Sequence, residues 1–209
     1  AADSTFKKLG LELGGKNPII VFADSDLEDA AAGAAFGIRF NTGQCCVSSS
    51  RLIVERSVAA EFETLLVEKM KKIRVGDPLD ERTQVGAITT EAQNATILDY
   101  IAKGKAAGAT LLTGGEPIDL GRGQYIAPTL FSGVSRDMAI ARDEIFGPVL
   151  CSMHFDTVEE AIQLANDTVY GLAASVWTKN IDKALTVSRR VRAGRFWVNT
   201  IMAGGPEMP

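Results

Sequence analysis

Strand-like and helix-like patterns alternate along the whole chain. Residues 18–22 form a continuous apolar, partly β-branched run, the pattern of a strand buried on both faces. Ser25 and Glu28 stand at capping-box spacing before the Ala-rich stretch 26–40, which predicts a closely packed helix. A strand over 52–55 follows the loop at 41–44. Phe62, Leu65, Leu66, Met70 and Ile73 then repeat at helical spacing until Gly76, Asp77 and Pro78 stop the pattern. The same grammar returns in the second half. Thr90 and Gln93 cap a helix running to Gly108, and strands are predicted over 110–113 and 148–155. Thr157 and Glu160 box a helix through Leu164; a strand at 173–177, a helix at 181–191 and a strand at 196–199 complete the series. Strands separated by helices imply an α/β fold, a largely parallel twisted sheet flanked by helices on both faces. In such sheets the reactive loops are expected beyond the carboxyl ends of the strands. The Gly-rich stretch 114–123 reads as a surface loop, not a domain boundary.

Composition narrows the function. With 22 basic against 26 acidic side chains the 209-residue chain carries a net charge of −4, which argues against nucleic acid or an anionic membrane as partner. No apolar run approaches the ~18 residues of a membrane span. Of three cysteines, Cys45 and Cys46 are neighbours. Adjacent Cα atoms lie ~3.8 Å apart, closer than a relaxed disulfide prefers, so a reducing, cytoplasmic compartment and a free thiol are expected. A single His argues against a His-rich metal site, and no metal is expected. The chain opens Ala1-Ala2-Asp3-Ser4 and stops among the turn-forming residues 204–209, so it is expected to be a piece of a longer polypeptide.

Two residues stand out chemically. Cys46 lies in the small, polar stretch 41–50 between a helix and a strand, where a purely structural thiol is out of place. A thiolate is the strongest side-chain nucleophile near neutral pH, although a free Cys also serves as a small hydrophobe. His154 lies within a strand and reads as an exposed or hydrogen-bonded residue, not a base. Glu12 is the better proton acceptor. It stands between Leu11 and Leu13 just before Gly14 and Gly15, and apolar neighbours that desolvate a carboxyl make it a usable general base. Cys151, in an apolar strand, reads as a core thiol.

Three motifs then combine. Leu11-Glu12-Leu13-Gly14-Gly15-Lys16, Gly43-Gln44-Cys45-Cys46 with its Cys46 34 residues beyond Glu12, and Glu144-Ile145-Phe146-Gly147-Pro148-Val149 resemble, in order and separation, the signatures of the NAD(P)-dependent aldehyde dehydrogenase superfamily. Lesser matches at 76–78, 128–130, 166–172 and 198–199 extend the resemblance over essentially the whole chain. It implies an aldehyde dehydrogenase-like catalytic domain at 17–209, with 1–16 as the end of a cofactor-binding domain and the junction carrying the general base. It further implies Cys46 as nucleophile, through a thiohemiacetal and a thioester hydrolysed with Glu12 as base, with NAD or NADP as cofactor and a small aldehyde as substrate. Glu144, Phe146, Leu13 and Gln93 fall at cofactor-binding positions, and Cys45, Val47 and Met202 at the substrate tunnel. The full-length protein would be a homodimer or homotetramer. The family's phosphate-binding turn and second oxyanion donor have no counterpart in these residues, so the chain by itself is expected to bind NAD weakly. A thiol esterase needing no nicotinamide and a non-catalytic folding or assembly module are the alternatives.

Overall fold

The computed structural model describes residues 3, 7 and 9–204; the expectations for 205–209 and for most of 1–8 lie outside the described residues. Seven strands form the main sheet: β1 (Pro18–Val21), β2 (Arg51–Glu55), β3 (Thr110–Thr113), β6 (Thr129–Ser132), β7 (Val149–Phe155), β8 (Ala173–Trp177) and β9 (Arg195–Val198). Their order is β3-β6-β7-β2-β1-β8-β9. All pairs are parallel except β3 with β6, so the largely parallel α/β sheet expected from the alternation is present. A two-stranded ribbon, β4 (Pro117–Ile118) with β5 (Tyr125–Ile126), stands where a plain surface loop was predicted.

The period of two in the strands sorts their side chains to opposite faces. Ile19, Val21, Leu52, Val54, Leu130 and Leu150 pack under α1 (Leu27–Arg39) and α2 (Ala59–Lys71). Ile20, Ile53, Phe131, Cys151, Met153 and Val176 face α3 (Glu91–Ala106), α5 (Val158–Asn166) and α6 (Ile181–Arg190). A fourth, single-turn helix, α4 (Ala139–Arg142), receives the Cys151 Sγ–H on its Ile140 carbonyl at 3.1 Å, so Cys151 is the core thiol the strand pattern suggested.

Caps set the helix starts. Thr90 and Thr157 accept the Gln93 and Glu160 N–H groups as expected, and Glu160 reaches back to the Asp156 N–H. For α1 the cap moves by one residue. Asp26, not Ser25, accepts from Asp29 N–H, while the Ser25 hydroxyl is turned back to donate to the Phe22 carbonyl at 2.7 Å.

Candidate active site

The parallel register places the amino ends of three strands at one level. Pro18 pairs with Arg51 and Arg51 with Cys151, so the segments leading into β1, β2 and β7 meet side by side. Those segments carry Glu12, Cys46 and Glu144 respectively. The three candidate residues therefore lie in stretches that enter the strands and not beyond the carboxyl ends, where reactive loops were expected; bonds from Gly15 to Glu144 and from Asn17 to Cys46 tie these stretches together.

The stretch before β2 is the most constrained. Asn41, Thr42 and Gly43 adopt left-handed conformations, with φ of 48°, 61° and 67°. Glycine is required at the third position, because a Cβ there would run into the Gly147 carbonyl and the Pro148 nitrogen. The strain at the buried, β-branched Thr42 is offset by side-chain bonds on either side. Asn41 Nδ2 donates to the Gln44 carbonyl at 2.8 Å, and Gln44 Oε1 accepts both the Thr89 amide and its hydroxyl. A β-turn over Cys45–Ser48 follows, closed by Ser48 N–H to the Cys45 carbonyl at 3.0 Å. Cys46 and Val47 are its two central residues, both half-buried like Cys45.

The stretch before β1 leans on this turn. Asn17 Nδ2 donates to the Cys46 and Ser48 carbonyls, each at 2.8 Å, and Gly15 N–H donates to Glu144 Oε1 at 3.0 Å. The two glycines are explained by close approach. A Cβ on Gly14 would strike the Glu144 carboxylate, and one on Gly15 would strike the Cys46 carbonyl. Arg51, buried at the start of β2, donates its Nε to the Lys16 carbonyl at 2.8 Å.

Glu12 departs from its expected surroundings. It is exposed, and Leu11 and Leu13 are themselves 68% and 56% exposed, so the apolar cover expected around the carboxyl is not supplied by the described residues. Glu12 nevertheless acts on the thiol. Burial pushes the Cys46 thiol above its ordinary value, and Cys45 and the Glu12 carboxylate push the same way, while the Val47 and Cys46 backbone N–H groups bonded to the thiol pull it down. At neutral pH the group is therefore mostly a thiol that needs a base.

The remaining positions are placed as follows. Glu144 is half-buried, with one oxygen already taken by Gly15, and Phe146 is 40% exposed at a φ of 54°. Gln93 does not reach outward with its amide nitrogen. Nε2 donates to the Ile145 and Phe146 carbonyls at 2.8 and 3.0 Å, so the residue fixes the loop that carries Phe146. Met202 is half-buried at a φ of 53°, next to Ile201, whose side chain lies against Gly37. His154 Nε2 donates to the Glu63 carboxylate at 2.8 Å, away from the Cys46 turn. Among the described residues no group of three or more His, Cys, Asp or Glu could hold a metal ion. Asn17 and Arg51 escaped the sequence reading, since a lone Asn and a lone Arg beside strands carry no periodic signal; the Gly14-Gly15 pair was the only hint that two backbones approach here.

Comparison with known proteins places the chain in a family. The model of the aldehyde dehydrogenase family matches residues 1–209, and the chain belongs to that family. It is 45% identical over 211 residues to betaine aldehyde dehydrogenase of Brucella anthropi, covering 100% of the chain and 43% of the relative. It is 46% identical over 209 residues to aldehyde dehydrogenase 1A1 of Gallus gallus, covering 100% and 41%. Among solved structures, an NAD-dependent aldehyde dehydrogenase from Sinorhizobium meliloti superposes with a TM-score of 0.95 at 50% identity, covering 100% of this chain and 41% of that one. The chain thus spans about two-fifths of the length of the relatives it matches.

Proposed function

We propose that this chain supplies the thiol half of a site that oxidises a small aldehyde to a carboxylic acid with NAD⁺, the dinucleotide stated for the Sinorhizobium meliloti relative. The observation that carries the reading is the meeting of Cys46, Glu12 and Glu144 at one end of the sheet, with the Glu12 charge felt at the Cys46 sulfur. Residues 1–16 act as the junction bearing the base and 17–209 as the thiol domain. Residues 9–13 are exposed while the chain becomes buried from Gly15 onward, which supports that division.

The steps follow from the residues. Glu12 takes the Cys46 proton, directly or through a water, and the sulfur forms a bond to the aldehyde carbon while the carbonyl oxygen becomes an alkoxide. The backbone N–H of Cys46 is the donor this chain offers to that oxygen. A bound nicotinamide dinucleotide supplies the hydride acceptor. The oxidised adduct is a thioester on Cys46; Glu12, having passed the first proton to solvent, deprotonates a water that attacks the thioester carbon, and the departing sulfur takes that proton back from Glu12, releasing the acid and restoring the thiol. Glu144 keeps lone pairs free beyond its bond to Gly15, which suits ribose hydroxyls. The exposed Phe146 ring offers a flat apolar contact beside it. Gln93 and Leu13 support the same end, Gln93 through the Ile145 and Phe146 carbonyls, while Cys45, Val47 and Met202 flank the path to the sulfur. The full protein is read as a cytoplasmic homodimer or homotetramer. Three free cysteines fit a reducing compartment, and no helix among the described residues is long and apolar enough to cross a membrane.

Ester cleavage, which needs only the thiol and base, is the second reading. Aldehyde-dependent NADH formation and hydrolysis of an activated ester, measured side by side, separate the two. Cys46→Ala is expected to abolish both. Glu12→Gln is expected to slow turnover by about 10²-fold or more while lowering the pH midpoint of Cys46 alkylation, because a like charge has left the sulfur. Full aldehyde oxidation by Cys46→Ala would refute the nucleophile.

A further inference from the structure

Phe146 stands in a conformation that its own side chain does not favour. Its φ is 54°, in the left-handed region that suits Gly, Asn or Asp and costs a bulky residue free energy. Its ring is 40% exposed, so core packing does not hold it there. The hold comes from α3. Gln93, Ile97 and Tyr100 follow one another at spacings of four and three and so share a face of that helix. The face meets the loop 143–147 residue by residue. The Tyr100 hydroxyl donates to the Asp143 carboxylate at 3.1 Å, and Ile97 lies so close to Gly147 that a Cβ there would strike it. Between these contacts Gln93 Nε2 donates to the Ile145 and Phe146 carbonyls at 2.8 and 3.0 Å. Helical angles of either hand align successive peptide dipoles, whereas extended angles alternate them, so one nitrogen reaches both carbonyls only while Phe146 stays left-handed. Both partners are oxygens, so the amide can face them only with its nitrogen, and both of its hydrogens are used.

We propose that α3 is the seat of the loop 143–147 and that Gln93 is its positioning residue: by bonding the two carbonyls that bracket Phe146, it keeps that residue left-handed and its ring in place at the dinucleotide site. The proposal rests on the reading that Glu144 and Phe146 face the dinucleotide. It makes Gln93 a determinant of NAD⁺ affinity that acts through Phe146 and not by touching the dinucleotide.

The test is a double-mutant cycle on NAD⁺ affinity, measured by isothermal titration of the full protein. Gln93→Glu keeps the shape and an oxygen for any hydroxyl of the dinucleotide, and a Glu three residues after the Thr90 cap suits the helix start. It removes only the donors. The expected result is a Kd for NAD⁺ about tenfold higher, the order of one to two net hydrogen bonds. KM for NAD⁺ is expected to rise with it while KM for the aldehyde stays, a split that general loss of structure does not produce. Gln93→Ala carries the same test and the same direction should Gln93→Glu not fold. Glycine takes the left-handed conformation unaided, so Phe146→Gly removes both the ring and the need for the clamp. Phe146→Gly is expected to raise Kd by itself, and adding Gln93→Glu to it is expected to change Kd by less than about twofold. A tenfold loss in both backgrounds would show that Gln93 acts on the dinucleotide directly, and an unchanged Kd in the single Gln93 variants would show that it does not act at all; either result overturns the proposal alone. An unaltered protein that bound no NAD⁺ would overturn the dinucleotide reading, and the proposal with it.

Discussion

Lys16 follows the Gly14-Gly15 pair and is drawn inside with it, 1% exposed, its Nζ without a hydrogen-bond partner among the described residues. Its neighbours explain why it cannot turn outward. Its own carbonyl is held by Arg51 Nε, and Asn17, the next residue, is pinned to the Cys46 turn. Burial lowers the ammonium from 10.5 to about 8, assisted by the Arg51 charge and opposed by Cys151, Asp143 and Glu144. The unfolded chain thus binds a proton between pH 8 and 10.5 that the folded chain has released, so stability attributable to this group rises with pH across that window. Below pH 8 the fold carries the full cost of a desolvated cation. Lys16→Met is expected to stabilise the protein at pH 7 by about 1–3 kcal/mol and to remove that rise. Urea unfolding of both proteins at pH 7 and pH 10 measures the difference, and a variant less stable at pH 7 would contradict it.

At the scale of elements, α2 is joined to the sheet by more than its apolar stripe. Phe62, Leu66 and Met70 pack on the β2 side, while Glu63 turns to the β6 and β7 strands. Its carboxylate accepts the Ser132 hydroxyl at 2.8 Å, the Ser152 hydroxyl at 2.6 Å and a bond with His154 Nε2 at 2.8 Å. Burial pushes the Glu63 carboxyl up, but the bonds from His154, Ser152 and Ser132 together outweigh it and hold the group below its ordinary value. A depressed carboxyl stabilises the fold above the ordinary value of 4.5, and the benefit is lost as pH falls through the folded value. Glu63→Gln is expected to cost about 1–3 kcal/mol at pH 7, because a neutral amide leaves at least one of the three donors poorly served. The cost is expected to shrink on acidification below about pH 4.5. Thermal melts of the two proteins across pH 3–7 follow the convergence, and parallel curves would contradict the assignment. The helix pattern of residues 62–73 revealed the stripe and not this anchor, since Glu63 lies one position off the apolar repeat and its partners are 69 to 91 residues distant.

For the molecule as a whole, what was legible in the sequence is what local pattern controls. Residues 18–22 and 148–155 announced β1 and β7 because strands buried on both faces are apolar throughout. Thr90 and Thr157 announced two helix starts because a cap is a local bond. β6, Thr-Leu-Phe-Ser, holds only two apolar residues between polar ones, and β4 and β5 are two residues each, so neither shows an apolar run or an alternation. Cys46 and Glu12 stood out through their motifs; that the stretches carrying them enter neighbouring strands was not legible, because the register of β1, β2 and β7 sets it. Arg51 is where those long-range choices are tied together. From the first position of β2 its guanidinium bonds the Lys16 carbonyl before β1 and, through Nη1 and Nη2, the Leu164 and Ala165 carbonyls at 3.0 and 2.8 Å in the last turn of α5. The Leu164 carbonyl also accepts the Asp167 N–H at 3.3 Å, and a cation at this helix end meets the negative end of the helix dipole. Burial lowers the guanidinium to about 10, still charged at neutral pH, and Asp167 and Cys151 act against that lowering. Arg51→Met keeps the bulk and removes all three bonds, stranding the Lys16 and Ala165 carbonyls and leaving Leu164 only its bond from Asp167. The expected cost is about 3–5 kcal/mol. Because the same side chain fixes the stretch carrying Gly15 and Asn17, loss of the α5 contact and of Cys46 protection are expected in one transition. Hydrogen exchange at α5 and alkylation of Cys46, followed through the same urea titration, test it: coincident midpoints are expected, and separate ones would show that the helix end and the thiol turn are not held by a common residue.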